Sequence, residues 1–304
     1  MANNLTDTPP VCDYEGSDYR TRFWENQGRE YEDLTERIAL QRLMPPTGDT
    51  LIEIGAGFGR LADEYRGYKR VVLFDYSRTL LREAQQILGD DPKFIYVAGD
   101  WYKMPFVDGL FDTLVQIRTI HHAADVPTLF QQLARIIRPK GNYVLEFANK
   151  QNLKAMLRYM LGKQKWSPYT HEPVEFVELN FDFHPKYIQE QLRHVEFEPE
   201  QILTTSHYRI GFLKRTIPTS FLVWLDSLVQ FTGKWWQLTP SVFIHSLSPT
   251  SGKLSEPDQF FACPECATPL QTMSESVLHC STCDLDWGCD KGLYDFKEPI
   301  PSKS

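Results

Sequence analysis

Between Cys12 and Cys263 the 304-residue sequence contains no cysteine. The body of the chain therefore offers no cysteine nucleophile. Long apolar runs are missing too. A membrane-spanning helix needs about eighteen or more uninterrupted apolar residues, and the best stretch, "SFLVWLDSLVQF", is short and broken by Asp226. The opening residues, "MANNLTDTPPVCDYEG", lack both the basic start and the apolar core of a secretory signal, so the expected location is cytoplasmic. Positive charge is scarce: 32 Lys and Arg stand against 40 Asp and Glu, a net charge of -8. A chain this acidic lacks the electrostatic footprint of a dedicated nucleic-acid binder. No internal repeat is present.

Apolar residues make up 42% of the chain, enough for a substantial core, and the length suits one large domain plus a small one. The segment "TRFWENQGREYEDLTERIALQRLM" spaces its apolar residues helically up to Pro45-Pro46, predicting one or two helices. The rhythm then changes. "TLIEIGAG", "RVVLFDYS", "KFIYVAGD", "FDTLVQIR" and "NYVLEFANK" read as buried strands. "GRLADEYRG", "RTLLREAQQIL" and "VPTLFQQLARIIR" read as helices between them. Continuous apolar strands alternating with amphipathic helices predict a doubly wound α/β fold, a mostly parallel sheet with helices on both faces. Beyond Lys150 come two more helical stretches, a strand at "EFEPEQILTTSHY", the helix "IPTSFLVWLDSLVQF" and the strand "PSVFIHSL". The Ser-, Pro- and Gly-rich stretch "SPTSGKLSEPDQ" reads as a linker.

The most informative motif is "LIEIGAGFGRLADEY". Glu53 ends a strand, and Gly55, Gly57 and Gly59 form a turn in which backbone can approach a ligand closely. A dinucleotide fingerprint would carry a glycine where Arg60 stands, and it has no place for Glu53. Acid-x-Gly-x-Gly-x-Gly resembles instead the first motif of the class I S-adenosylmethionine-dependent methyltransferases. Asp75 closes the second strand, Asp100 and Trp101 follow the third, and Arg138-Pro139-Lys140-Gly141 resembles the family's turn before strand five, so the likeness runs in register over residues 47–150. It implies a Rossmann-like, seven-stranded sheet and S-adenosylmethionine as cofactor. It further implies contacts from Glu53 to the methionine amino group, from Asp75 to the ribose hydroxyls and from Asp100 to the adenine amino group. Gly55, Ala56, Gly57, Gly59, Tyr76, Trp101 and Ile117 would complete the cofactor site. Arg29 and Tyr31, among the aromatics Tyr19, Phe23 and Trp24, would reach over the methionine carboxylate or the acceptor.

Several acceptor classes are disfavoured by the same comparison. Amide and exocyclic-amine methyltransferases carry Asn/Asp-Pro-Pro-aromatic after strand four, where this chain has "QIRTIHH". The cytosine-C5 type needs a cysteine that the chain lacks. His121 and His122 follow strand four and are the candidates for a general base, although either also suits a packing or capping role. Lys150, Lys154, Arg158, Lys163 and Lys165 line an acid-free stretch whose apolar residues fall at helical spacing. In this family the insertion after strand five, about 150–195 here, commonly covers the substrate. A small-molecule acceptor is expected, with a cofactor-binding scaffold or an RNA- or ribosome-associated enzyme as the alternatives.

The tail spells Cys263-x2-Cys266-x13-Cys280-x2-Cys283, a tetrahedral zinc pattern closed by four thiolates and therefore structural. From Phe261 to Ser304 acids outnumber bases seven to three, which argues against phosphate binding. The segment resembles the small zinc-ribbon activator subunit of tRNA, ribosomal and release-factor methyltransferases. It departs from that family at Trp287-Gly288-Cys289 and Gly292-Leu293-Tyr294, where two prolines are missing. The resemblance implies a ribbon that packs on its own catalytic domain. The expected divisions are a helical cap at 1–46, a methyltransferase domain at 47–247, a linker at 248–260 and a zinc ribbon at 261–304.

Overall fold

A computed structural model describes residues 9–17, 20 and 27–300. Tyr19, Phe23 and Trp24 lie outside these residues. The first described helix, α1 (Glu30–Leu43), ends before Pro45-Pro46 and leads into β1 (Gly48–Ile54), β2 (Tyr68–Asp75), α2 (Arg78–Leu88), β3 (Phe94–Ala98), β4 (Phe111–Gln116), α3 (Val126–Ile136) and β5 (Ile137–Ala148). There follow α4 (Leu153–Met160), the hairpin β6 (Val174–Val177) and β7 (Asn180–Asp182), α5 (Pro185–His194), β8 (Glu198–Thr205), α6 (Gly211–Thr216), α7 (Thr219–Val229) and β9 (Ser241–Leu247). The tail adds β10 (Gln271–Ser274), β11 (Val277–Cys280), β12 (Leu285–Asp290) and β13 (Leu293–Ile300).

The main sheet has eleven strands in the order β10-β11-β12-β13-β3-β2-β1-β4-β5-β9-β8, not the seven expected. Seven of them, β3 to β8 in that order, come from the α/β body. The other four belong to the tail and continue the sheet because β13 pairs in parallel with the edge of β3, Leu293 beside Tyr96 and Asp295 beside Ala98. β1 to β5 run parallel, and β9 lies antiparallel between β5 and β8. Alternate residues of the parallel strands feed two cores. Ile52, Val72 and Leu114 point to the face covered by α3 and α5; Leu51, Val71 and Val115 point to the face covered by α1 and α2. Burial on both faces is why these strands read as unbroken apolar runs. Cys263, Leu278, Cys280, Trp287 and Phe296 of the tail belong to the first of these cores. Phe261 stacks on Phe106 with ring centres 5.9 Å apart, and Phe260 meets Phe106 and Phe111 edge-on.

Two local expectations change. "GRLADEYRG" is not an α-helix; only Ala62–Tyr65 form a single 3₁₀ turn. Its job is to carry the chain back along the seven residues of β1, about 23 Å at 3.3 Å per residue. The Arg138–Gly141 turn is absorbed into the start of β5, where Lys140 adopts a φ of 59° and the pairing with β4 shifts register between Phe111 and Thr113.

Candidate active site and thiol cluster

The carboxyl ends of the parallel strands carry the candidate site, as the crevice rule for open α/β sheets requires. Gly55, Gly57 and Gly59 all have positive φ, at 73°, 54° and 76°. At Gly55 the absence of a side chain is also steric: a Cβ would lie 2.3 Å from Thr119 Cγ2. The loop is held by Asp75, whose Oδ2 accepts from Gly57 N at 2.7 Å and whose Oδ1 accepts from Ser77 N at 2.9 Å. Burial pushes the Asp75 carboxyl up to about 6 despite these donors.

Beside the loop lies a pocket with about 570 Å³ of empty space, part of it open to solvent. Gly55, Gly57, Asp75, Tyr76, Trp101 and His122 are among its walls. A second hollow of about 340 Å³ shares Gly55, Gly57, Arg118 and Thr119 with it and adds Glu53, Ala56, Arg60 and Ile117. Glu53 is 4% exposed, and burial raises its carboxyl to about 8 against the pull of Arg60. The buried Tyr65 hydroxyl lies beside it, yet neither Glu53 Oε2 nor that hydroxyl has a partner in good hydrogen-bond geometry. A buried carboxyl without a well-placed protein partner is costly, and its ionised form fits a cationic ligand group. The indole N–H of Trp101 is likewise buried without a partner. Asp100 lies next to the pocket rather than in its wall; Oδ1 accepts from Tyr102 N at 2.8 Å, and burial raises its carboxyl. The glycine cradle and the orphan carboxylate both suit an amino-acid-bearing nucleoside such as S-adenosylmethionine.

The two histidines differ. His122 lines the pocket. Its Nδ1 is 2.8 Å from the carbonyl of Leu179 in the β6–β7 turn, so Nδ1 carries the hydrogen. Nε2 then presents its lone pair to the Tyr14 hydroxyl at 3.1 Å. Burial lowers the His122 pKa and keeps the ring neutral. His121 is not among the pocket's walls; burial, with His122 and Arg118 nearby, lowers its pKa strongly. Tyr31 does not reach the pocket: it is 1% exposed and gives its hydroxyl to Asp226 Oδ2 at 2.5 Å.

Several wall residues were not singled out by sequence. Arg118 stands at a φ of 59°, pinned by its N–H to Glu146 Oε2 (2.9 Å) and by its guanidinium to the buried Glu36 (2.6 Å). Val11, Cys12 and Tyr14 form a strap across the pocket. Glu15 anchors it by accepting from the N–H groups of Arg78 and Thr79 at the start of α2 (2.9 and 3.0 Å). Lys297 of β13 lies 3.6 Å from Asp13 and from Glu15 and sits 3.9 Å above the ring of Tyr76. The strap has no periodicity and Arg118 no motif, so only the "QIRTIHH" stretch itself offered a signal.

The four tail thiols, Cys263, Cys266, Cys280 and Cys283, all lie within 4.8 Å of one another. Four sulfurs around tetrahedral zinc stand about 3.8 Å apart at a Zn–S distance of 2.3 Å, so the cluster fits that metal. All four are free of disulfides, and Cys289 is not part of the group.

A methyltransferase-domain family profile matches residues 52–145, which span the glycine loop to β5. The chain is 25% identical over 141 residues to 27-O-demethylrifamycin SV methyltransferase of Amycolatopsis mediterranei, covering 43% of this chain and 51% of that protein. It is 28% identical over 127 residues to the O-methyltransferase resE of Aspergillus sclerotiorum, covering 38% and 48%. The chain thus spans about half the length of the curated relatives it matches. Among solved structures, a chain from the complex between the Haloferax volcanii Trm112 methyltransferase activator and a methyltransferase superposes with a TM-score of 0.53 at 16% identity, covering 79% of this chain and all of that one. The fold is the Rossmann-like α/β fold of S-adenosylmethionine-dependent methyltransferases, and residues 52–145 match a methyltransferase-domain profile.

Proposed function

We propose that the chain methylates a hydroxyl of a small-molecule acceptor, using S-adenosylmethionine and taking the acceptor's proton on His122. The observation that carries this reading is the His122 imidazole, neutral, fixed through Nδ1, with Nε2 engaged by the Tyr14 hydroxyl of the pocket wall. Tyr14 already donates to that nitrogen, so an acceptor hydroxyl replacing it meets a lone pair in position. Matched relatives are named for O-methylation and for C-methylation alike, so the choice of oxygen rests on the His122 lone pair. Bound in the cleft, the cofactor supplies a methyl group on a positively charged sulfur, already activated for in-line displacement. The protein's contribution is then mainly proximity and orientation. Glu53 would hold the amino group, Asp75 the ribose hydroxyls, and Asp100 with Trp101 the adenine. The strap of Val11, Cys12 and Tyr14 would exclude water.

For the tail, the reading is a structural zinc ribbon that braces the catalytic domain in cis. The closed set of four thiols, the β13–β3 pairing and the shared core support it. Two ion pairs add to the contact, Arg78 with Asp295 and Arg82 with Asp290, both at 2.6 Å. Incubating the full chain and methyl-labelled cofactor with small-molecule and RNA fractions of the host tests the catalytic reading. Label is expected in small-molecule ethers; label confined to RNA overturns it.

A further inference from the structure

A surface patch of unusual composition lies away from the pocket. From Arg209 to Leu238 the outward side chains include Phe212 (70% exposed), Trp224 (53%), Phe231 (54%), Trp235 (61%) and Trp236 (57%). Phe221 and Trp224 lie three residues apart on α7 with ring centres 5.6 Å apart, and Trp235 meets Phe231 at 5.7 Å. The α4 segment continues this surface. Leu153 N donates to the carbonyl of Leu238 at 2.8 Å, and Met160 beyond it is 74% exposed. Monomeric proteins rarely leave so many large apolar groups together in water.

Charge distinguishes among covers for such a face. Between Arg209 and Leu238 the one acid is Asp226, which is fully buried against Tyr31 and His207. Lys150 to Lys165 contains none. Lys154, Arg158, Lys163, Lys165, Arg215 and Lys234 are exposed cations, and no ion pair engages them among the described residues. At the α6 end the buried Glu32 of α1 pairs with Lys214 and Arg209 (2.7 and 3.3 Å), and along the chain the next acids after α4 are Glu172, Glu175 and Glu178. A protein of net charge -8 thus gathers unpaired positive charge around exposed tryptophans. A second copy meeting this face two-fold would set cations against cations. Aromatic rings that settle at the headgroup level, rimmed by Lys and Arg, match an anionic bilayer on both counts.

We propose that the surface formed by α4, α6, α7 and the turn at 230–238 docks onto anionic phospholipid membranes. The surface lies at the sheet's carboxyl end: Asn149, just past β5, donates to the carbonyls of Gln237 and Thr239 at 2.9 and 2.8 Å. Docking therefore turns the pocket's end of the sheet toward the bilayer. No helix among the described residues is long and apolar enough to cross a membrane, so the contact is interfacial. It needs no methyl transfer, and either property can fail without the other.

Flotation of the full chain with vesicles tests the proposal. Vesicles of phosphatidylcholine with about 30% phosphatidylserine should carry the protein upward, and phosphatidylcholine alone should carry far less. Reversing three cations together (Lys154→Glu, Arg158→Glu, Lys163→Glu) should weaken partition by about a hundredfold. Trp235→Ser with Trp236→Ser should weaken it about tenfold or more while leaving the melting temperature unchanged. Four results overturn the proposal: no flotation at low salt, equal flotation on neutral vesicles, stronger retention of the protein on RNA than on the anionic vesicles, or a dimer in solution that the tryptophan variants dissociate.

Discussion

Replacing Glu53 by Gln exposes how the candidate site handles charge. Burial holds the Glu53 carboxyl at about 8, so at about pH 7 it is mostly protonated in the free protein. A carboxylate that must pair with a cationic amino group has to give that proton up. Cofactor binding should therefore release up to one proton per chain at about pH 7, with affinity rising with pH by at most about tenfold per unit up to about 8 and levelling above it. The sign follows from the raised value: the free protein holds the proton below about 8, and the bound carboxylate does not. Isothermal calorimetry in phosphate and in Tris reads the released proton as a difference in heat. In Glu53→Gln that difference should vanish. Its affinity above about pH 8 should fall about 10- to 100-fold, the loss of one charge-assisted hydrogen bond of about 1.5–3 kcal/mol. Equal heats in both buffers with a flat pH profile, or a Gln variant that binds as tightly as the parent, would refute the assignment.

Gly55→Ala puts a methyl 2.3 Å from Thr119 at a φ of 73°, so loss of cofactor binding and a lower melting temperature are expected; unchanged calorimetry would remove the loop from the site. His122→Ala should cut turnover by about 10²–10⁴-fold while cofactor affinity stays within a few-fold, and undiminished single-turnover rates would exclude a proton-accepting role. Metal analysis of carefully prepared protein should give one zinc per chain. Stripping that metal should lower the melting temperature of the whole chain, because the thiol-bearing segment shares the catalytic domain's core; an unaltered melt would show that the brace carries no stability.

What was legible in the sequence is what local spacing encodes. Strand order up to Lys150, the helices at 78–88 and 126–136, the acid-glycine loop, Asp75 and the four thiols depend on residues a few positions apart. Their chemistry survives without knowledge of the tertiary arrangement. The eleven-stranded sheet was not legible, since pairing Leu293 with Tyr96 joins segments about two hundred residues apart, and neither carries a mark of the other. Arg118 escaped because its left-handed backbone is imposed by Glu36 and Glu146, which come from α1 and β5. The strap of Val11, Cys12 and Tyr14 escaped because a segment with no periodicity carries no signal of what it packs against.

The parallel pairing of β13 with β3 also sets an order of events during synthesis. β3 emerges from the ribosome early, yet its outer edge waits for Leu293–Asp295 before its backbone groups find partners. Throughout that interval the nascent domain presents an open strand edge, the usual starting point for misassociation. Closing the edge requires the ribbon strands to have folded, and by the zinc reading that requires metal. Under metal starvation the chain should therefore be lost chiefly to aggregation of newly made molecules, while copies already folded persist.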